Sequence, residues 1–393
     1  MIDIKQQRDC CGCHACTSVC PRHCITMQPD SEGFLYPAVD KENCINCGLC
    51  ELVCPIINQS EIRNPIEVYA AKNQDDEIRI QSSSGGIFSL LARKIISEGG
   101  IVFGARFDDN WNVIHDWTDT FDGIAAFRGS KYVQSIIGNS YNEAKNFLQS
   151  GRKVLFTGTP CQIAGLKRFL RKNYDNLLTV DVVCHGVPSP LVWKEYLAEL
   201  YNSSNKFYKH IFIHSRNISK ISDISFRDKT KGWKKYRFSV IRKDGTRLIE
   251  PSYKNLFMKG FLANLYLRPS CHHCPARSGR STSDITMGDF WGIKEYYPKY
   301  DDDKGVSLLL IYSNEGKNIY DSIKTDYILT DYNYGLRSNP CIEHSVTEPQ
   351  CRADFWLKYN QHGLSVVNKY IKSPSPITDM YCKIVKRIKR LMK

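Results

Sequence analysis

Two cysteine runs near the N-terminus constrain this chain more than any other feature: Cys10-x2-Cys13-x2-Cys16-x3-Cys20-Pro21 and Cys44-x2-Cys47-x2-Cys50-x3-Cys54-Pro55. Three thiolates at two-residue intervals can wrap one [4Fe-4S] cubane, while the fourth cysteine, before proline, is carried off to the other cluster. The spacing predicts that Cys10, Cys13, Cys16 and Cys54 hold one cluster, and Cys44, Cys47, Cys50 and Cys20 the second. Structural zinc is the competing reading, because C-x2-C pairs also form zinc knuckles. A zinc site needs only four ligands, however, and gains nothing from a third cysteine at the same interval and a C-x3-C-P ending, twice over. A disulfide framework fits less well. The chain opens Met1-Ile2-Asp3-Ile4-Lys5 without a hydrophobic signal segment, and 393 residues can bury a core without covalent staples. The expectation is a reduced, oxygen-sensitive, cytoplasmic protein.

With 42% hydrophobic and 24% charged residues the chain is ordinary globular material, long enough for two or three domains. No apolar run reaches membrane-spanning length. The formal net charge of +13 invites a nucleic-acid reading, so its distribution matters. Lys383, Lys386, Arg387, Lys389, Arg390 and Lys393 lie in a tail with no acidic residue, and without these six the net charge falls from +13 to +7. The body is mildly basic, and no nucleic-acid partner is expected.

The patterning divides the chain into residues 1–60, a two-cluster module; 61–172 and 173–345, two parts of one larger region; and 346–393, a C-terminal extension. Gly33 to Pro37 reads as a hairpin between the cysteine runs, and Asn58 to Pro65 as a polar linker. Alternating strands and helices follow. Val68–Ala71 is a short strand; Ser82-Ser83-Ser84-Gly85-Gly86 opens an apolar-periodic helix closed by Gly99-Gly100; Ile101–Ala105 is the next strand. Lys153–Thr157 and Leu177–Val183 read as buried parallel strands, each followed by a helix. Both strands run out at cysteines, Cys161 and Cys184. In open α/β sheets the ligand crevice lies outside the carboxyl ends of the strands, so two cysteines delivered there form a site candidate. Residues 205–255 look β-rich, with a hairpin turn at Lys243-Asp244-Gly245-Thr246. Cys271-x2-Cys274 adds a paired ligand motif. Cys161, Cys184, Cys271 and Cys274 therefore make a quartet for a third [4Fe-4S] cluster, with half a zinc knuckle or small buried side chains as the alternatives. Cys11, Cys24, Cys341, Cys351 and Cys382 are read as non-ligands.

These segments together resemble the family of coenzyme F420 hydrogenase/dehydrogenase beta subunits, fused to an N-terminal two-cluster ferredoxin. The residues that carry the resemblance are Ser83-Ser84-Gly85-Gly86, Gly129 to Ser135, Gly158-Thr159-Pro160-Cys161-Gln162, Asp181 to Gly186 and Met287 to Gly292, within about residues 67–295. The resemblance implies an α+β ferredoxin-like N-terminal module followed by an α/β flavin and iron-sulfur domain. It also implies FAD, and a partner or substrate that differs between members. From the residues alone, Ser83, Ser84, Gly85 and Gly86, and again Thr157, Gly158 and Thr159, stand at helix starts where backbone N–H groups suit a pyrophosphate, although such residues mostly just cap. No G-x-G-x-x-G follows a strand, so a Rossmann dinucleotide site is not supported. Lys131 is a candidate cation beside the flavin or its phosphates, an exposed lysine being the blander account. His185 and Asp289 are candidate proton carriers.

Two functions follow. One is an enzyme that takes electrons from a donor such as ferredoxin or a reduced coenzyme, passes them through the clusters to FAD, and reduces an unknown organic substrate. The other is an electron-transfer subunit serving a catalytic hydrogenase or dehydrogenase partner. Resemblance to composite proteins of bacterial surface-polysaccharide gene neighbourhoods implies a sugar-related substrate for the first. Finally, Tyr381, Ile384, Val385, Ile388, Leu391 and Met392 share one helical face opposite the six basic residues, the pattern of a helix lying on an anionic inner-membrane surface. A terminal helix docked on its own domain is the alternative.

Overall fold

The structure, a computed structural model, describes residues 1–202 and 221–371. The basic tail and the Ser373-Pro374-Ser375-Pro376 linker therefore lie outside the described residues, as does part of the β-rich segment.

The two cysteine runs repeat in backbone as well as in sequence. In each, the residues on either side of the second cysteine are left-handed: Gly12 and His14 around Cys13, Asn46 and Gly48 around Cys47. Each run then enters a short helix that carries its third cysteine, Ala15–Val19 or Leu49–Leu52. Two reversals within three residues curl the chain so that successive thiols can point to a common centre. Strands β1 (Ile25–Pro29) and β2 (Leu35–Val39) form an antiparallel hairpin between the runs. Its turn lies at Asp30–Phe34, where Asp30 Oδ1 accepts from the amides of Glu32 and Phe34. The turn is thus three residues earlier than the sequence reading placed it, and Leu35 to Pro37 already belong to β2.

The body contributes β3 (Glu67–Lys72), β4 (Ile101–Phe107), β5 (Val113–Thr118), β6 (Val154–Gly158), β7 (Leu177–Val182), β8 (Ile221–Asp228), β9 (Arg237–Arg242), β10 (Arg247–Pro251), β11 (Ile285–Asp289), β12 (Ser307–Ile311) and β13 (Asp326–Leu329). Strands β8 to β10 form a separate antiparallel sheet, and the others one eight-stranded sheet in the order β13-β3-β12-β11-β7-β6-β4-β5. At its centre β11, β7, β6 and β4 are parallel, so their carboxyl ends share one edge. The boundary drawn at 172/173 falls inside this sheet, between hydrogen-bonded β6 and β7.

Both faces of the sheet are covered, which explains its unbroken apolar runs. Val102 and Leu155 pack under the helix Ile87–Ser97, while Phe103, Val154 and Phe156 face the helices Ser140–Gln149 and Pro160–Leu170. The ferredoxin-like module docks on that second face through Cys11, Cys13, Ala15 and Val53. Two buried arginines pin it. Arg268 donates to the carbonyls of Cys10 (2.8 Å) and Leu35 (2.9 Å), and Arg352 donates to Glu32 Oε1 at 2.8 Å. Among the described residues no helix is long and apolar enough to cross a membrane.

Candidate cluster and cofactor sites

The cysteines sort into three groups in space. Cys20, Cys44, Cys47 and Cys50 line one small pocket with an empty volume of about 350 Å³, counting the solvent at its mouth; Cys24 lines it too, its Sγ 3.4 Å from that of Cys20. The run spacing predicts the first four as one ligand set, with Cys20 crossing over from the first run. Cys10, Cys13, Cys16 and Cys54 form the second group. Burial, then the neighbouring Cys10 and Cys54, pushes the Cys16 thiol up to about 12; Cys54 is raised by burial and, more weakly, by Cys10. The buried thiols of Cys13, Cys16 and Cys54 resist ionisation unless a cation neutralises them, and iron supplies that charge. Among the described residues no three metal-binding side chains converge on a single point. A cubane holds its ligands apart around four irons, so it does not need such convergence.

The quartet proposed from the sequence also comes together. Every pair within Cys161, Cys184, Cys271 and Cys274 lies close enough for the charge on one to disfavour ionisation of the other. Burial is the largest cause and lifts Cys271 to about 12 and Cys274 to about 11. The topology delivers them: Cys161 follows β6, Cys184 follows β7, and the short 3-10 helix Pro269–His273 brings Cys271 to the same sheet edge. Two buried guanidiniums flank the group. Arg277 donates to the Cys184 carbonyl at 3.0 Å, and the charge of Arg268 favours the thiolates of Cys161 and Cys271. This donor set suits an anionic four-iron cluster.

Beside the quartet opens a cleft with an empty volume of about 2480 Å³, counting the solvent at its mouth. Ser83, Ser84, Gly86, Lys131, Thr157, Gly158 and Thr159 all line it, as does Cys184. Three of the proposed roles change on inspection. Gly85 is not a wall residue: its N–H goes to Ser307 Oγ (3.0 Å), and a Cβ there would meet the Ala71 carbonyl at 2.4 Å. Glycine is needed because the turn is pressed against β3 and β12, not to approach a ligand. At the second helix start, Thr159 N–H is taken by Gln162 Oε1 (2.9 Å) in a capping box, so that amide is spent inside the chain. Lys131 turns its ammonium onto the carbonyls of Ala126 (2.9 Å), Arg128 (2.9 Å) and Gly129 (3.3 Å), using its three donors within the chain.

The Ser82–Gly86 turn is held from below. Lys229, buried, donates to the carbonyls of Arg79 (2.7 Å), Ser84 (2.9 Å) and Lys304 (2.7 Å), and Arg79 pairs with Asp302. Ser83 Oγ accepts from the Ser130 amide at 2.6 Å, joining the two serine-bearing loops at the cleft wall. His185 lines the cleft with Nε2 2.7 Å from Asn264 Oδ1, and burial lowers its pKa, which keeps the ring neutral. Asp289 is tied to Arg227 and to Trp233 Nε1 (2.8 Å), which leaves it an anchor rather than a proton carrier.

The sequence reading missed the opposite wall. Arg227, Tyr236 and Trp291 line the cleft, with the guanidinium 4.1 Å from the Tyr236 ring centroid and 4.9 Å from that of Trp291. Trp291 stacks on Trp233 at 4.8 Å and 3°. These residues come from β8, the β8–β9 loop and the end of β11, and only Trp291 belonged to a motif that stood out. Arg227 Nε is buried and has no hydrogen-bond partner among the described residues. In size and in its mixture of hydroxyl, glycine and aromatic lining, the cleft fits a dinucleotide-sized cofactor with room beside it.

Comparison with known proteins gives two family matches. Residues 151–332 match the family described as the C terminus of the coenzyme F420 hydrogenase/dehydrogenase beta subunit, and residues 9–56 match the 4Fe-4S dicluster domain. The chain is 23% identical over 289 residues to the F subunit of the F(420)H(2) dehydrogenase of Methanosarcina mazei, covering 70% of this chain and 73% of that protein. It is 24% identical over 204 residues to the coenzyme F420-dependent sulfite reductase of Methanocaldococcus jannaschii, covering 51% of this chain but 31% of that longer protein. A 7Fe ferredoxin of Hydrogenibacillus schlegelii is 36% identical over 64 residues, which is 16% of this chain and 76% of the ferredoxin. A chain in a structure of the F420-reducing [NiFe] hydrogenase complex from Methanosarcina barkeri aligns with a TM-score of 0.44 and 18% identity, covering 78% of this chain and 91% of that one.

Proposed function

Because the chain belongs, over residues 151–332, to the family of coenzyme F420 hydrogenase/dehydrogenase beta subunits and carries a 4Fe-4S dicluster domain over residues 9–56, we propose that it is an iron-sulfur flavoprotein oxidoreductase. In this reading Cys20, Cys44, Cys47 and Cys50 hold the outer cluster, Cys10, Cys13, Cys16 and Cys54 the inner one, and Cys161, Cys184, Cys271 and Cys274 a third; FAD lies in the cleft. The observation that carries it is the double position of Cys184, a member of the quartet and a wall of the cleft. Bound clusters carry single electrons, and flavin links one- to two-electron chemistry.

The chain's own residues set the site around those groups. Arg268 and Arg277 place positive charge beside the quartet, which favours the anionic cluster. Lys229 and Arg79 fix the Ser82–Gly86 turn, and Arg227 with Trp291 and Tyr236 walls the far side of the cleft, where an organic substrate has room. His185, held by Asn264, lines the cleft beside Cys184 and stands where a substrate group could hydrogen-bond to it.

The test is the composition of anaerobically purified protein. It should hold about twelve irons per chain, against about eight if only the dicluster domain fills, and heat should release about one FAD per chain. Cys161→Ala or Cys184→Ala should each lower the iron by one cluster and leave the ferredoxin signal intact. An unchanged iron count in both variants would sink the third cluster, and a colourless supernatant from brown, folded protein would sink the flavin.

The relative matched over 73% of its length is named as one subunit of a dehydrogenase, which favours a second reading, an electron-transfer subunit that serves a catalytic partner. Turnover of an organic substrate by the purified chain alone, with reduced methyl viologen as electron donor, supports the enzyme; turnover that appears only with a co-purifying protein supports the subunit.

A further inference from the structure

Cys11 is the one cysteine of the first run with no assigned cluster, yet it stands between two groups that have one. Its thiol is buried in the cluster that also holds Cys13, with Cys161 packed against that cluster, and it contacts both side chains. Several contacts enforce this placement. Cys161 and Gly165 lie four residues apart on the helix Pro160–Leu170, hence on one face. That face meets the first cysteine run so closely that a Cβ on Gly165 would stand 2.9 Å from Cys13 Sγ. The loop is held from behind: Arg268, 0% exposed, donates to the Cys10 carbonyl at 2.8 Å and to Gln134 Oε1 at 3.0 Å, and Gln134 Nε2 donates to the Cys11 carbonyl at 3.1 Å. Gly12 follows with φ of +66°, and a Cβ there would lie 2.8 Å from both Arg268 Nη1 and Gln134 Nε2. The clamp therefore crowds any side chain at position 12 and seats the Cys11 thiol at the junction of module and body.

We propose that Cys11 is a positioning residue that couples the cluster held by Cys10, Cys13, Cys16 and Cys54 to the one held by Cys161, Cys184, Cys271 and Cys274. The inference rests on the reading of the quartet as a cluster site. A thiol against ligand sulfurs acts in two ways. Its S–H is a hydrogen-bond donor, and hydrogen bonds to ligand sulfurs help set cluster potentials. Its sulfur also closes the gap between the two ligand sets with covalent and contact steps instead of empty space. The exchange is balanced: one electron lost on the Cys13 side is one gained on the Cys161 side, the Cys11 proton stays on its sulfur, and no bond forms or breaks. The electron comes from the one-electron donor of the proposed reaction.

The test uses full-length protein, anaerobically loaded with iron and sulfide, as wild type and as Cys11→Ser, Cys11→Val and Cys11→Ala. Iron per chain is measured first, then the distribution of electrons between the ferredoxin and third-cluster signals in an EPR-monitored dithionite titration. All four forms should hold about twelve irons. Removal of the donor in the Val and Ala variants should move the ratio of electrons on the two clusters by roughly tenfold, as expected for loss of one hydrogen bond to a charged group, while Ser keeps a donor and stays within about twofold of wild type. Full iron with an unchanged ratio in Val and Ala would overturn the coupling. So would loss of a cluster in both, because Cys11 would then hold iron or the fold itself. A wild-type count near eight irons would instead end the third-cluster reading on which the coupling depends.

Discussion

Arg227 and Asp289 meet on the wall of the cleft in a double pairing, Nη1 to Oδ2 at 3.0 Å and Nη2 to Oδ1 at 3.2 Å. The guanidinium also reaches Tyr132 Oη at 3.1 Å and the Ser83 carbonyl at 3.3 Å, so one side chain from β8 ties together three parts of the cleft. Asp289→Ala would leave that buried charge uncompensated and should cost about 3–5 kcal/mol. Asp289→Asn keeps the volume and an acceptor for Trp233 but also removes the charge, so it should cost nearly as much. Chemical denaturation of the two variants checks this, and a cost for Asp289→Asn far below that of Asp289→Ala would show that packing, not charge, holds the wall.

Gly85→Ala should destabilise by about 1–3 kcal/mol, the usual range for overpacking, because the added Cβ meets the Ala71 carbonyl and the Ser307 amide (2.4 and 2.7 Å), backbone atoms of the neighbouring strands β3 and β12. Gly86 has open space by comparison, with Asn73 Cβ at 3.2 Å, but its φ of +81° strains any side chain. If FAD binding responds to Gly85→Ala, the loss should track stability across temperature. Weaker binding in a fully stable variant would return Gly85 to the cofactor site.

His115 offers a pH test. Its ring is buried, with Nε2 3.0 Å from the Thr157 carbonyl and Nδ1 2.9 Å from Ser135 Oγ, and burial lowers its pKa from 6.5 to about 4. The folded form therefore resists a proton that the unfolded chain accepts. The stability that follows is complete above pH 6.5 and is lost as the pH falls toward 4, to the extent of roughly 3 kcal/mol. His115→Gln removes the titration. The stability difference between wild type and variant should shrink from pH 7 to pH 4, and a constant difference would contradict the buried neutral ring.

The basic tail rests on sequence alone. Full-length protein should co-sediment with anionic vesicles, a form lacking residues 377–393 should not, and added salt should weaken the binding. Equal binding of the two forms would favour a tail that docks on its own domain.

What the sequence determined by itself is the chemistry that depends on spacing. Cysteines two residues apart must share a loop, and the two-cluster spacing assigns Cys20 to Cys44, Cys47 and Cys50, with which it lines one pocket. The strand-to-helix steps at 154–170 and 177–202 were legible for a similar reason, since a fully buried parallel sheet writes its strands as short apolar runs. That placed Cys161 and Cys184 at one edge. Only the tertiary structure could decide the contacts between residues distant in the chain. Arg227 is one more basic residue of a β-rich segment until Asp289, 62 positions later, neutralises it inside the cleft. Gly85 and Thr159 look like free anion-binding amides until Ser307 and Gln162 take their hydrogens. Cys11 reads only as a non-ligand because nothing local marks it, and its neighbour Cys161 is 150 residues away. Local pattern fixes which groups a segment offers; burial and partnering, which are properties of the whole fold, decide which of those offers remain open.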